Sequence, residues 1–326
     1  MGKLLVAVSG GADSMALLHS LHHRTTLCSL LSAHADEHSA VCRLCSNSLL
    51  TVAHVNHQIN TAEANAAQAL VENYCQTHDI DCYVGTFNVP KLARESKRGL
   101  EETARTVRYD FFAALLEKLN ADYYVTAHTH DDNAETVLQH ILRGCGTHGL
   151  RGMQALQGKH LRPLLHVTRA QIDEYVAMHN IKCAVDSSNA DIDYTRNRIR
   201  HQLLPLLREF NPQINNALNR LANIAAQDTE CLNTLATALV HSDEQGQSYC
   251  LRHEILPAPC ALQARALRKL YARQGLEQKH IAAMLEAIER HSGTELPHKL
   301  RLNVRKGKVT INENSNAILA QTVGNE

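Results

Sequence analysis

Leu4-Leu5-Val6-Ala7-Val8-Ser9-Gly10-Gly11-Ala12-Asp13-Ser14-Met15-Ala16-Leu17-Leu18 decides how the rest of the chain is read. Its five leading apolar residues, small and β-branched among them, predict a strand buried on both faces of a parallel sheet. Ser9–Ser14 predicts a tight turn, and the apolar pattern resumes at helical spacing from Met15 to Leu21. Gly10 and Gly11 allow φ > 0 and close approach of a ligand to the backbone. In a strand–loop–helix unit, loop N–H groups and the helix N-terminus converge on one point, an arrangement suited to phosphate oxygens. Ser9 and Ser14 add hydroxyls, and Asp13 is placed to hold Mg²⁺ or to orient the loop. The hexamer matches neither G-x-x-x-x-G-K-[ST] nor G-x-G-x-x-G, and the missing lysine disfavours kinase-type γ-phosphoryl transfer.

Outward from this unit, Leu49–Val55, Asp81–Phe87 and Ala121–Ala127 predict further strands, and Ala62–His78 and Gly99–Leu119 predict helices. The fold class is therefore α/β, a doubly wound, mostly parallel sheet. Helix 99–119 carries Leu100, Ala104, Val107, Phe111, Leu115 and Leu119 on one expected apolar stripe. In open α/β sheets ligands sit at the carboxyl ends of the strands. His54 and His57, in His-Val-Asn-His, end the second strand and are candidate nucleotide contacts. His128-Thr129-His130-Asp131-Asp132-Asn133-Ala134-Glu135-Thr136 follows the fourth strand. There Asp132 suits Mg²⁺ bound with nucleotide phosphates, while N-capping by Asp131 or Asp132 is compatible with that role. Arg105 and Arg108 share a helix face able to meet an anion.

From Val137 to Ile172 no acidic residue occurs, whereas Arg143, Arg151, Lys159, Arg162 and Arg169 are basic. The glycine-rich part, Arg143–Met153, predicts a cationic loop suited to a polyanion. Arg196 and Arg200, at i and i+4, form a phosphate-binding spacing or a paired-arginine surface helix. Asn211-Pro212 is the expected domain boundary, giving 1–210 and 211–326. The second part predicts helices at 214–239, 262–274 and 280–290 and two short strands near 301–304 and 308–311. Lys299, Arg301, Arg305, Lys306 and Lys308 form a second basic cluster.

Lys+Arg and Asp+Glu are equal at 33 each in 326 residues, so charge is neutral in total and polarised locally. Ten cysteines without a cationic-then-apolar leader predict a reducing, cytoplasmic setting, and no run approaches a membrane span. His34, His38, Cys42 and Cys45 have the spacing of a tetrahedral Zn²⁺ site. The reading set against it, and favoured because both ligand pairs are short, is a surface insertion with two free thiols. A homodimer is compatible with the sequence.

Ser-Gly-Gly-Ala-Asp-Ser, His-Val-Asn-His, Arg108-Tyr-Asp-Phe-Phe, the His128–Thr136 segment, Arg143–Met153, Arg162-Pro-Leu-Leu, Asp186-Ser-Ser-Asn and Arg196-Asn-Arg-Ile-Arg occur in this order. The series resembles the tRNA(Ile)-lysidine synthetase family of ATP pyrophosphatases, densely over 1–210 and loosely beyond. The resemblance implies a mainly helical tRNA-binding domain after the catalytic one, without the further terminal domain of longer members. It implies ATP-dependent adenylation of C2 of the wobble cytidine in a CAU-anticodon tRNA(Ile). L-lysine then displaces AMP to form lysidine. On this resemblance Ser9, Gly10, Gly11, Ala12, Asp13 and Ser14 bind ATP, Asp13, Arg108 and Asp132 are catalytic, and Arg143, Arg151, Arg196 and Arg200 hold tRNA. Three departures stand out: Asn60 replaces an arginine, Thr129 a histidine, and 32–48 is inserted. A tRNA cytidine thiolase, supported by Cys42 and Cys45, and a catalytically silent tRNA-binding protein are the alternatives.

Overall fold

The computed structural model describes residues 2–24, 41, 44–45, 48–184, 195–273 and 275–313. His34, His38, Cys42 and Asp186–Asn189 lie outside the described residues. The chain divides into two compact units, Met1–Asn223 and Ile224–Glu326.

In the first unit the chain runs β1 (Gly2–Ala7), α1 (Ala12–His23), β2 (Ser48–Asn56), α2 (Thr61–Thr77) and β3 (Asp81–Thr86). There follow α3 (Val89–Ser96), α4 (Leu100–Leu119), β4 (Tyr123–Val125), α5 (His130–Arg143), α6 (Thr147–Leu150), β5 (Leu156–Gln157), β6 (His160–Leu161) and α7 (Arg169–Met178). After α8 (Thr195–Arg198), a π-helical turn, Ile199–Leu203, leads into α9 (Leu204–Phe210) and α10 (Ile214–Thr237). The sheet order is β3-β2-β1-β4-β6-β5, parallel except for β5. The strand order reverses at β1: the chain leaves it toward β2 and β3, then crosses back through α4 to β4 on its other side. The loops after β1 and β4 therefore flank the crevice of the sheet.

β1 is central because Leu4, Leu5 and Val6 are apolar toward both faces. Leu4 and Val6 join Leu17, Leu18 and Ile172, whereas Leu5 joins Phe112, Leu115 and Leu116. The buried side of α4 is Ala104, Phe112, Leu115 and Leu116, so the expected stripe is corrected by about one position at its centre. Leu116 and Phe112 face the sheet, while Phe111 and Leu119 lie at its margin.

The division between the two compact units falls within α10, after Asn223. Leu218 and Ala222 of α10 bury with Ala134, Val137 and Ile199, so the first half of that helix belongs to the first unit. The second unit is mainly helical, as expected, with α11 (Arg252–Ile255), α12 (Cys260–Tyr271) and α13 (Gln278–Glu289). Among the described residues its sheet, however, has five strands where two were expected: β7 (His241–Ser242), β8 (Ser248–Leu251), β9 (Thr294–Leu296), β10 (Leu300–Arg305) and β11 (Lys308–Glu313). β10 and β11 pair antiparallel across Lys306-Gly307, with φ of 48° and 76°. Positive φ at both positions is what a two-residue hairpin loop of type I′ requires.

Candidate active site

The turn after β1 is locked by its own serines. Ser9 N–H donates to Ser14 Oγ at 3.1 Å, and Ser14 Oγ donates to the Gly11 carbonyl at 3.0 Å. Gly10 has φ 93°, and a side chain there would press against the Ala67 backbone. Its carbonyl accepts from Ala184 N–H at 2.9 Å, so the segment after α7 clamps the loop. The first-turn N–H groups of α1 have no intrahelical acceptors and point out of the helix end. This is a cradle for an oxyanion, and it fits the triphosphate expected from the sequence.

Asp13, on the first turn of α1, pairs with Arg169 of α7: Nη1 lies 3.1 and 3.2 Å from its two oxygens. Burial raises the Asp13 pKa to about 6, against the lowering by Arg169, and Asp132 raises it further. Asp13 and Asp132, distant in sequence, thus feel one another's charge across the crevice.

Asp132 is the third residue of α5. Thr129 is the N-cap, and its N–H and hydroxyl both donate to Asp132 Oδ2, at 2.8 and 2.9 Å. The threonine that departs from the family pattern therefore closes a capping box. Neither Asp131 nor Asp132 is the N-cap. Asp131 instead accepts from Arg169 N–H and Asn215 Nδ2. Asp132 Oδ1 accepts from Nη2 of Arg196 at 2.7 Å and of Arg200 at 3.1 Å.

Glu135, one turn on and 2% exposed, takes the other side of both arginines. Arg196 Nε reaches it at 2.8 Å and Arg200 Nε at 2.5 Å. Burial disfavours the charge on Asp132, but Arg196, His128, the Thr129 N–H and Arg200 outweigh it and hold its pKa below the ordinary range. Against burial, the same carboxylates raise both arginines above their usual range. Arg196 and Arg200 do share a face, as their spacing predicts, and that face turns onto α5. Their side chains keep 31% and 36% exposure. The π-helical turn carries Arg200, a local geometry frequent at functional sites.

His54 is 2% exposed and its Nδ1 bonds to the Val8 carbonyl at 2.8 Å, bracing the strand beneath the loop. Burial lowers its pKa. His57, partly exposed beyond β2, is held at about 4 by burial, then by Arg108 and His54. Arg108 is drawn below its usual range, by desolvation foremost and by Arg105 and Arg196. These shifts place His57, Arg108 and Arg196 in one electrostatic neighbourhood.

A polar chain runs beneath the β4 edge. Arg162 Nη2 lies 2.8 Å from His160 Nδ1, Thr126 Oγ1 2.7 Å from His160 Nε2, and Thr126 Oγ1 2.6 Å from His128 Nδ1. A guanidinium only donates, so His160 Nδ1 accepts and His160 Nε2 carries its proton to Thr126. The Thr126 hydroxyl then donates to His128 Nδ1, which leaves the His128 proton on Nε2. Burial, with Arg162 next in effect, lowers the His160 pKa to about 2, and burial lowers that of His128 to about 4, so both rings are neutral.

Of the basic residues in 137–172, Arg162 is buried in this chain and Arg169 is paired with Asp13, whereas Arg143 and Lys159 are exposed and Arg151 partly so. The glycine-rich loop is tied down by Asn133, whose Oδ1 accepts from Met153 N–H at 2.7 Å and whose Nδ2 donates to Asn219 at 2.8 Å. Gly152, φ 60°, passes so close to the Asn133 amide that a Cβ would collide with it. Cys45 lies in the first unit's apolar core at 5% exposure.

Glu135, Arg169 and the Arg162–His160–Thr126 chain were not among the expected site residues. The one signal for Glu135 is its position three after Asp132 on a helix, which places both carboxylates on one face. Nothing in the sequence near Asp13 points to Arg169, because the contact spans 156 residues.

This phosphate-cradling loop and crevice carboxylate pair define a nucleotide-binding α/β unit. Residues 1–207 match the PP-loop domain family, and the chain belongs to it. Within that family its sequence is similar to tRNA(Ile)-lysidine synthases. It is 30% identical over 320 residues to that of Clostridium acetobutylicum, covering 95% of this chain and 66% of the relative. It is 34% identical over 321 residues to the bifunctional protein TilS/HprT of Listeria monocytogenes, covering 92% of this chain and 46% of the relative. The chain thus spans about half to two thirds of the length of these relatives. Among solved structures, the U34-tRNA thiolase NcsA of Methanococcus maripaludis is similar in fold, with TM-score 0.52 and 14% identity over 69% of this chain and 73% of that one.

Proposed function

We propose that the chain is an ATP-dependent tRNA-modifying ligase that joins L-lysine to C2 of the wobble cytidine of a CAU-anticodon tRNA(Ile). The observation that supports this most is the convergence of Asp13, Asp132, Arg108, Arg196 and Arg200 on the crevice beside the serine-glycine loop. The family motifs that carry these residues are scattered over most of the first unit.

In this reading Ser9–Ser14 and the α1 N-terminus hold the triphosphate, with His57 at the neighbouring strand end. Mg²⁺, when bound, supplies charge neutralisation on the leaving pyrophosphate. Asp13 is the carboxylate to hold it, because it lies on the first turn of α1 beside the loop and, among the described residues, its one ion pair is the half-exposed one with Arg169. Asp132 has both oxygens committed to Thr129 and the arginines, so it serves as an ordered acceptor near the nucleophilic amine. Arg108 stabilises charge that develops on the adenylated C2 oxygen. The cytidine C2 oxygen is a poor leaving group until it is esterified to AMP, after which lysine displaces a phosphate ester.

Arg143 and Arg151 on the glycine-rich loop would hold the anticodon stem-loop. Arg196 and Arg200 reach tRNA phosphate only through their exposed portions, with their main task the orientation of Asp132. The burial of Cys45 in the apolar core speaks against the thiolase reading.

The test is incorporation of labelled lysine into a CAU-anticodon tRNA(Ile) transcript with ATP and Mg²⁺. ATP-dependent incorporation, lost when the wobble base is U, is the expected result. Pyrophosphate release with sulfur but not lysine incorporated would replace it with the thiolase, and tRNA binding without pyrophosphate release would replace it with the silent binder.

A further inference from the structure

At the far end of α1 from the phosphate loop, five histidines gather at one corner of the first unit. His22 and His23 end α1, and His78 directly follows α2. Their ring centroids are 4.7 Å apart for His22–His23, 4.9 Å for His22–His78 and 5.3 Å for His23–His78. One ligand nitrogen from each lies within 4.8 Å of the others. His19 and His179 stand alongside, His19 4.3 Å from the His23 ring and bonded through Nδ1 to the Tyr175 hydroxyl at 2.8 Å. Among the described residues, none of the three forms an ion pair with a carboxylate.

We propose that His22, His23 and His78 form a transition-metal site for Zn²⁺ or a similar borderline ion, tying the end of α1 to the end of α2. Three imidazoles that each turn one ring nitrogen toward a common point are a donor set for a borderline dication.

Zinc–nitrogen bonds of about 2.0–2.1 Å in a tetrahedron separate the donors by roughly 3.3–3.4 Å. From their present spacing, the rings close that distance by side-chain rotation, without movement of the sheet. The donor set is all nitrogen, which selects against Mg²⁺ and Ca²⁺. The ten residue-to-residue rises from Ala12 to His22 place this site about 15 Å along the helix from the loop. It is therefore separate from the nucleotide-binding loop, and it would tie the ends of two helices together.

The experiment uses the full, tag-free chain stripped of metal. Titration with ZnCl₂, and separately with MgCl₂, is followed by calorimetry and by the melting temperature. CoCl₂ serves as a spectroscopic probe. We expect one equivalent of Zn²⁺ bound, a melting temperature raised by about 5 °C at saturating metal, and no response to Mg²⁺. Co²⁺ should give tetrahedral d–d bands without a near-ultraviolet thiolate band. H22Q and H78Q, both at the surface end of the unit, should each weaken Zn²⁺ at least about tenfold, since one of three donors is gone.

Undiminished Zn²⁺ binding in the H22Q/H78Q double variant would overturn the proposal. A thiolate-to-cobalt band in the parent would also overturn it, by assigning the metal to cysteines. So would the absence of Zn²⁺ binding to the parent.

Discussion

Glu135 offers the sharpest test of how the site is held together. It is 2% exposed and is shared by Arg196 and Arg200, through Nε atoms at 2.8 and 2.5 Å and Arg200 Nη2 at 3.0 Å. Among the described residues, Glu135→Ala leaves Asp132 as the one carboxylate within ion-pair distance of the two guanidinium groups. Breaking a fully buried pair costs about 3–5 kcal/mol, because one charge stays uncompensated. The arginine side chains here are 31% and 36% exposed, so water recovers part of that loss. A cost of roughly 2–3 kcal/mol is expected. For a unit of about this size, 1 kcal/mol shifts the melting temperature by about 2–4 °C. Scanning calorimetry should therefore show a drop of roughly 5–10 °C.

Glu135→Gln keeps the shape and one acceptor and should lose about half as much. The Arg200→Met background should erase much of the Glu135→Gln effect, with a coupling of about 1 kcal/mol or more. Pyrophosphate release should fall further than stability accounts for, because the released forks turn Asp132 away from its capping geometry. A Glu135→Gln variant within about 0.5 kcal/mol of the parent, with no coupling to Arg200, would refute this account of the cluster.

Asp13 has a folded pKa of about 6, above the ordinary value of about 3.9 in an unfolded chain. The folded state therefore binds more protons in between, and this group's contribution to stability declines as pH rises from about 4 to about 6. Nucleotide with Mg²⁺ requires the ionised form, so its affinity should rise over the same window. Calorimetric ATP titrations at stepped pH should show this rise, and Asp13→Asn should flatten it; an unchanged profile would detach Asp13 from the nucleotide. His160→Phe keeps the stacking on Tyr124 and removes the link from Arg162 to Thr126. Side-chain nitrogen NMR should then show His128 populating both tautomers, and a single Nε2-protonated form would rule out the polar chain as its cause. Gly152→Ala must hold φ 60° and displace the Asn133 amide, so chemical denaturation should show a loss of about 1–3 kcal/mol. Asp132→Ala should abolish lysine incorporation while tRNA affinity, measured by filter binding, stays within a few-fold; equal loss of both would contradict a catalytic role.

Much of the molecule is legible from pattern alone. The apolar run Leu4–Val8 can only be a strand buried on both faces, and the glycine pair after it only a turn, because periodicity and φ freedom are properties of a few neighbouring residues. The same local logic predicts α2, α4, α12, α13 and the β10–β11 pair, and places His57 and Asp132 at strand exits. It fails where a residue's partner lies far along the chain. Arg196 and Arg200 carry the spacing of a phosphate clamp, yet α5 presents Asp132 and Glu135 to them, and only the packing of α8 and the π-helical turn against α5 reveals that. Arg169 and Arg162 belong to a run of positive charge in the sequence, while the fold assigns one to Asp13 and buries the other beneath His160. The short strands β5–β9 also escaped prediction, since a two- to four-residue strand is defined by the neighbour it pairs with. Local composition thus determined the elements and the side of the sheet on which chemistry sits. Tertiary structure decided which charges are spent on one another and which face the crevice, because Coulomb energy and desolvation depend on distances that the linear order does not contain.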